Sequence, residues 1–282
     1  MKYYNEYIIK SEPFLPEILT GLLWQLNISG LKEEDNSVKA YFTSGNENQQ
    51  DHIENILKEL VRQNVITKYS VEGNSFEDRN WNEEWEKSIE VIHVTDNIVI
   101  KPTFREYSAK QDEMVITIDP KMSFGTGHHS TTRLILSALE RYVKPGMQVL
   151  DAGTGTGVLA IASVLMGAEF ALGFDNDEWS VVNASENADL NYVSSKTEFR
   201  FAELSQLDKK KYDLVLANIH KIVLMELGKE LVEFLHSGSI LILSGLLIQD
   251  EEDIRELYTS YGTELIEKQQ MDEWIILVFR KS

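Results

Sequence analysis

Apolar positions along the chain recur with two periods, and the changes of period divide the sequence. Residues 3–10 partly alternate apolar and polar side chains, and 37–43 do so clearly at Val38, Ala40 and Phe42, which predicts strands. Elsewhere the spacing is helical: Ile18, Leu19, Leu22, Leu23 and Leu26 over 16–26, then Ile53, Ile56, Leu57 and Leu60 over 51–61. Another strand is expected at 65–71, and a weaker signal near Leu31 suggests one more before 37. This order over 1–71 predicts a small α+β module of the ferredoxin-like kind. Residues 72–95 turn polar and acidic, with Trp81 and Trp85 four apart. They read as a linker helix with both indoles on one face, packed against a domain.

From 96 to 282 the pattern changes again. Strands are expected at 97–102 and 113–119, then a helix over 131–142. Strands at 147–152, 170–175, near Phe199, at 212–217 and at 239–244 then alternate with helices over 157–166, 179–190, 223–235 and 251–261. Such alternation predicts an α/β domain with a mostly parallel, Rossmann-like sheet covered on both faces. Only 269–273 separate the last two strands, 263–268 and 274–280. That gap is too short for a parallel crossover, so the pair must be an antiparallel hairpin.

A chain of 282 residues has room for both domains. No run of about 18 apolar residues occurs, so no membrane span is expected. The opening MKYYNEYIIKSEPF lacks a basic stretch followed by an apolar one, so no secretory signal is expected either. With no cysteine there is no disulfide and no thiolate metal site, which fits a cytoplasmic protein. The formal charge of −19, from 46 acidic and 27 basic side chains, disfavours direct nucleic-acid binding. Lys209, Lys210 and Lys211 form the only basic triplet. The same charge favours encounter with a basic macromolecule.

The chemistry concentrates in three segments. Asp151-Ala152-Gly153-Thr154-Gly155-Thr156-Gly157 joins a strand to a helix, where Gly153 and Gly155 let backbone approach a ligand. Asp175 ends the next strand, at the distance where an acid takes ribose hydroxyls. The third glycine comes one residue too early for a dinucleotide fingerprint, and no phosphate loop is present. Asp151 stands where a pyrophosphate would be repelled and a cation welcomed. S-adenosylmethionine carries a sulfonium, an ammonium and a ribose but no phosphate, so the loop fits it better than a dinucleotide.

The second segment, from Ile118 to Thr132, supplies two glycines, several hydroxyls and two histidines. Ser130, Thr131 or Thr132 is expected to cap the following helix, while Thr131 and Thr132 are candidate hydroxyl contacts to the ligand. His128 and His129 are adjacent and so project differently, and no HExxH spacing supports them. No metal site is expected; one of the two is a candidate hydrogen-bonding group for a substrate. The third segment, Asn218-Ile219-His220, follows a strand end facing the ligand crevice. Methyl transfer to an amine is a direct displacement in which alignment does most of the catalysis. Asn218 is expected either to orient the amine or to cap the next helix. A lysine amine, with a reference pKa of about 10.4, must first lose a proton, to His220 or to water.

FGTGHHSTT, LDAGTGTG, GFDND and ANI, in this order, resemble the ribosomal protein L11 methyltransferase family (PrmA), as do DRNWNEEWEKS and NIVIKP. The resemblance runs from about Asp78 onward; before that it lies in pattern and size. It implies a seven-stranded class I methyltransferase domain behind a ferredoxin-like domain that holds the substrate. It further implies S-adenosylmethionine-dependent methylation of lysine side chains and of the N-terminal α-amine of a large-subunit ribosomal protein. Cofactor contacts then fall on Thr131 or Thr132, Gly153, Asp175 and Asn218. Relatives often carry cysteine and serine where this chain has Thr154 and Thr156, a small polar exchange that leaves the backbone role intact. A monomer is expected. Two other functions suit the same residues: methylation of another protein or a small-molecule amine, and non-catalytic cofactor binding in ribosome assembly.

Overall fold

The computed structural model describes residues 3–23, 26, 28–43, 49–77, 89–121 and 123–282. The chain divides into two compact units, Met1–Ser88 and Ile89–Ser282.

In the first unit the elements run β1 (Tyr3–Glu12), α1 (Pro16–Leu23), β2 (Gly30–Glu34), β3 (Ser37–Thr43), α2 (Gln49–Arg62) and β4 (Lys68–Glu77). Pro16 opens α1 at a position where its missing N–H costs nothing. The strands form an antiparallel sheet in the order β2-β3-β1-β4. Alternation puts Val38, Ala40 and Phe42 on one face of β3, where they meet Leu19 and Leu23 of α1 and Ile53, Leu57 and Leu60 of α2. This is the expected ferredoxin-like arrangement, and the weak signal at Leu31 is a real strand.

The expected linker helix over 72–95 needs correction. Residues 72–77 continue β4, which pairs with β1 from Glu12↔Lys68 to Tyr3↔Glu77. The long first strand offers N–H and C=O groups to the end of that register, and pairing them outweighs the helical pattern. At the other end, β5 (Ile92–His93) is extended. Trp81 and Trp85 lie outside the described residues.

The second unit holds β5, β6 (Ile98–Lys101) and β7 (Met114–Thr117) in one small sheet. Then follow α3 (Ser130–Tyr142), β8 (Gln148–Ala152), α4 (Val158–Leu165), β9 (Phe170–Asp175), α5 (Glu178–Leu190) and β10 (Thr197–Phe201). After them come β11 (Tyr212–Asn218), α6 (Lys221–Glu233), β12 (Leu235–Leu247), α7 (Glu251–Ser260), β13 (Thr263–Met271) and β14 (Trp274–Lys281). The seven-stranded sheet has the order β10-β9-β8-β11-β12-β14-β13. Its first five strands are parallel, and β14 runs antiparallel to both β12 and β13. Val149, Leu214, Leu216 and Ile242 face one apolar layer with α3 and α4. Leu150, Val215, Ala217, Leu241 and Leu243 face the other, with α6 and α7. Burial on both faces explains the nearly continuous apolar runs in these strands. The chain leaves β8 toward β9 on one side, while β11 lies on its other side. That reversal opens a crevice at the strands' carboxyl ends. Among the described residues no helix is long and apolar enough to cross a membrane.

Candidate active site

The crevice is a cavity of about 830 Å³ at the carboxyl ends of β8, β9, β11 and β12. Its floor is the turn from β8 into α4. Gly153 and Gly155 have φ of +69° and +53°, a region that L side chains rarely adopt. A Cβ on Gly155 would also collide with the carbonyl oxygen of Phe124, and one on Gly153 with the side chain of Ile219. The backbone N–H groups of Gly153 and Thr154 both donate to the carbonyl of Phe174, each at 3.0 Å, which ties the turn to β9.

Asp175, at the end of β9, faces the cavity. It accepts from the N–H of Gly155 at 3.0 Å and of Asp177 at 3.1 Å, one on each oxygen. Each oxygen keeps acceptor capacity, which two vicinal hydroxyls can use. Asp177 also borders the cavity but is engaged elsewhere: it caps α5, accepting from Trp179 N–H and Ser180 Oγ.

Asp151 is brought near this site but does not line it. It is fully buried behind the turn, where Oδ2 accepts from Thr154 Oγ1 at 2.7 Å. Burial pushes its carboxyl up to about 7, against the opposing hydrogen bonds of Thr154 and of the Ala160 backbone and with a further push from the Asp175 charge. Its position makes it a support of the turn, not a wall of the cavity. Thr132, also fully buried, likewise stands back from the lining, 3.4 Å from Asn218 Nδ2. Thr131, Gly153, Gly155, Asp175, Asn218 and His220 do line it together.

The cap of α3 also departs from expectation. Ser130, Thr131 and Thr132 already belong to the helix, and His129 is the capping residue, its Nδ1 accepting from Thr131 N–H. Ser130 Oγ instead donates to Asp272 at 2.9 Å. Asn218 is not a cap either, since α6 begins after His220, which makes no side-chain cap bond. His129 borders the cavity, in edge contact with the Trp274 ring at 4.7 Å and tilted against Phe124 at 5.5 Å.

Sequence reasoning did not single out Phe124, Trp274, Glu203, Leu204 or Gly245, all of which line the cavity. Gly245, near the end of β12 with φ +82°, had a usable signal: glycine at the carboxyl end of a parallel strand. Trp274, at the start of a C-terminal hairpin strand, had none.

The charges of the lining are one-sided. Asp175, Asp177, Glu203, Glu226 and Glu230 contribute carboxylates, and among the described residues no lysine or arginine lines it. Such a wall repels a pyrophosphate and suits a cationic ligand with free hydroxyls. Among the described residues no group of three or more metal-ligating side chains is assembled.

Comparison with known proteins accords with this geometry. The family model for ribosomal protein L11 methyltransferase (PrmA) matches residues 21–282. A protein of Ruminiclostridium cellulolyticum named ribosomal protein L11 methyltransferase is 36% identical over 256 residues, covering 88% of this chain and 79% of its own length. One of Caldicellulosiruptor bescii with the same name is 32% identical over 307 aligned positions, covering 100% of each chain. The crystal structure of a ribosomal protein L11 methylase from Lactobacillus delbrueckii subsp. bulgaricus superimposes with a TM-score of 0.65 at 30% identity, over 69% of this chain and all of that one. With its whole catalytic unit inside the match, the chain belongs to the ribosomal protein L11 methyltransferase family.

Proposed function

We propose that this chain transfers the methyl group of S-adenosylmethionine to amino groups of ribosomal protein L11, on lysine side chains and the N-terminal α-amine. The observation that carries the reading is the cavity wall: five carboxylates, no lysine or arginine among the described residues, and an acid at the end of β9 that faces the cavity. Both reactants are cationic, and a basic acceptor protein also suits a chain with a formal charge of −19.

When bound, S-adenosylmethionine supplies an electrophilic methyl group on a positively charged sulfur. In this reading Asp175 accepts the ribose hydroxyls, the backbone at Gly153 and Gly155 gives close approach, and the Thr131 hydroxyl contacts the methionine end. Asp151 and Thr132 hold these groups from behind. Asn218, half-buried at the end of β11, accepts the acceptor amine's hydrogens on its side-chain oxygen and aims the nitrogen lone pair. The amine arrives protonated, and His220, exposed at the cavity's edge, takes its proton on an imidazole nitrogen. The acidic lining draws the ammonium inward before that proton leaves. The ferredoxin-like unit recognises the substrate protein, and the enzyme works in the cytoplasm as a monomer without direct contact to nucleic acid.

The test is methyl transfer from labelled S-adenosylmethionine to ribosomal proteins taken from a strain lacking the gene. Label confined to L11, on lysine and N-terminal peptides by mass spectrometry, is expected. Label in another fraction, or none despite cofactor binding, would replace the acceptor and leave the fold untouched.

A further inference from the structure

Thr156 and Asn187 stand outside the cavity lining, yet they join its two loops. Thr156 is fully buried. Its N–H donates to the Phe124 carbonyl at 2.8 Å and its Oγ1 to the Gly125 carbonyl at 2.8 Å. Asn187, also fully buried on α5, accepts from Asp119 N–H at 2.9 Å and donates through Nδ2 to the Thr156 carbonyl at 2.9 Å. One turn earlier, Asn183 Nδ2 donates to the Pro120 carbonyl at 2.9 Å. Thus Asp119 and Pro120 are tied to α5, and Phe124 and Gly125 to the glycine turn. Phe124 itself lines the cavity and is 55% exposed. Apart from its tilted contact with His129 the ring is little packed, and its backbone is bonded by Thr156.

We propose that Thr156 is a positioning residue for methyl transfer: its hydroxyl, backed by Asn187, latches the Phe124–Gly125 segment to the glycine turn. The two loops then face the methyl donor as one preorganised wall. Losing the hydroxyl leaves the Gly125 carbonyl buried without a partner, and the segment is then held to the turn by the Thr156 N–H on the Phe124 carbonyl alone. The cost falls on donor binding, since the freed segment must be ordered again each time the ligand enters. This inference rests on the proposed donor occupying the cavity.

The test separates the hydroxyl from the methyl group of threonine. T156V keeps the volume and removes the donor; T156S keeps the donor and removes a methyl group. By calorimetry with S-adenosylhomocysteine, T156V should bind roughly tenfold more weakly, and its KM for S-adenosylmethionine should rise in step. Its KM for the acceptor protein should hold. T156S should recover donor affinity to within about twofold. The opposite ranking, with T156V normal and T156S impaired, would mean that packing alone matters and overturn the proposal. Equal binding by all three proteins would do the same. Failure of the parent protein to bind S-adenosylhomocysteine would instead remove the donor reading. If T156V does not fold, amide exchange in the parent protein decides. A latch requires that S-adenosylhomocysteine protect 123–127 and 153–157 together, and protection of one segment alone overturns it.

Discussion

Replacing Asp175 and Asp177 separately by alanine should produce losses of different kinds, although both border the cavity. Asp175 has one oxygen on Gly155 N–H and the other on Asp177 N–H, and its remaining acceptor capacity faces the ligand. Hydrogen bonds to a charged group contribute about 1.5–3 kcal/mol each, and water recovers part of this in an open cavity. A net loss of about 3 kcal/mol follows for two hydroxyls, or roughly 150-fold in Kd. Asp177 holds Trp179 N–H and Ser180 Oγ at the start of α5. Removing that cap costs about 1 kcal/mol of stability, a drop of roughly 2–4 °C in Tm for a domain of this size. Calorimetry with S-adenosylhomocysteine and a thermal melt of each variant measure the two effects. Equal Kd values, or a weaker ligand complex for Asp177→Ala, would refute the assignment of Asp175 to the ribose.

Asp151→Asn should change how stability depends on pH. With its carboxyl at about 7, the folded chain keeps a proton that the unfolded chain releases near 3.8. The folded state therefore binds more protons between these values, and this group's contribution is greatest below pH 4 and lost as pH rises through 7. Between pH 4 and 8 the asparagine variant should gain up to about 4 kcal/mol relative to the parent in urea unfolding; a constant difference would contradict the buried, protonated acid. Asn218→Ala should lower kcat by about 100-fold with little change in Tm, because it removes alignment of the amine; an unchanged kcat would exclude Asn218 from the reaction. A protein comprising only residues 89–282, which carries its own two apolar layers, should fold and bind S-adenosylhomocysteine but methylate no ribosomal protein. Full transfer by that fragment would rule out substrate recognition by the ferredoxin-like unit.

What the sequence disclosed depended on whether a residue's role follows from its own neighbours along the chain. The strands of the catalytic sheet were legible because both faces are buried and their runs are apolar throughout. The glycine turn and Asp175 were legible because strand, turn and acid follow one another at fixed distances. Asn183 and Asn187 were not: polar residues four apart on a helix look like a wetted face, and only the fold brings Pro120, Asp119 and Thr156 against them. Asp151 stands two residues before Gly153, where its charge suits a cation, but the strand's alternation places it behind the turn and outside the cavity lining. For His129 the sequence raises a metal or a substrate role, whereas a helix beginning at Ser130 makes it the cap. The linker helix failed where the partner decided the conformation, since nothing within 72–77 announces how far β1 extends.

The placement of β14 has a consequence for biosynthesis. It is made after β13 yet lies between β13 and β12, and its first residue, Trp274, forms part of the cavity wall. Until the ribosome has released residues through Lys281, β12 presents the N–H and C=O groups of an open edge, with Ile240 and Ile242 alongside. Strand β13 joins the sheet only through β14, so no nascent chain short of β14 has a complete site. Such an intermediate exposes a long apolar edge, so crowding or delay at this stage favours aggregation over catalysis.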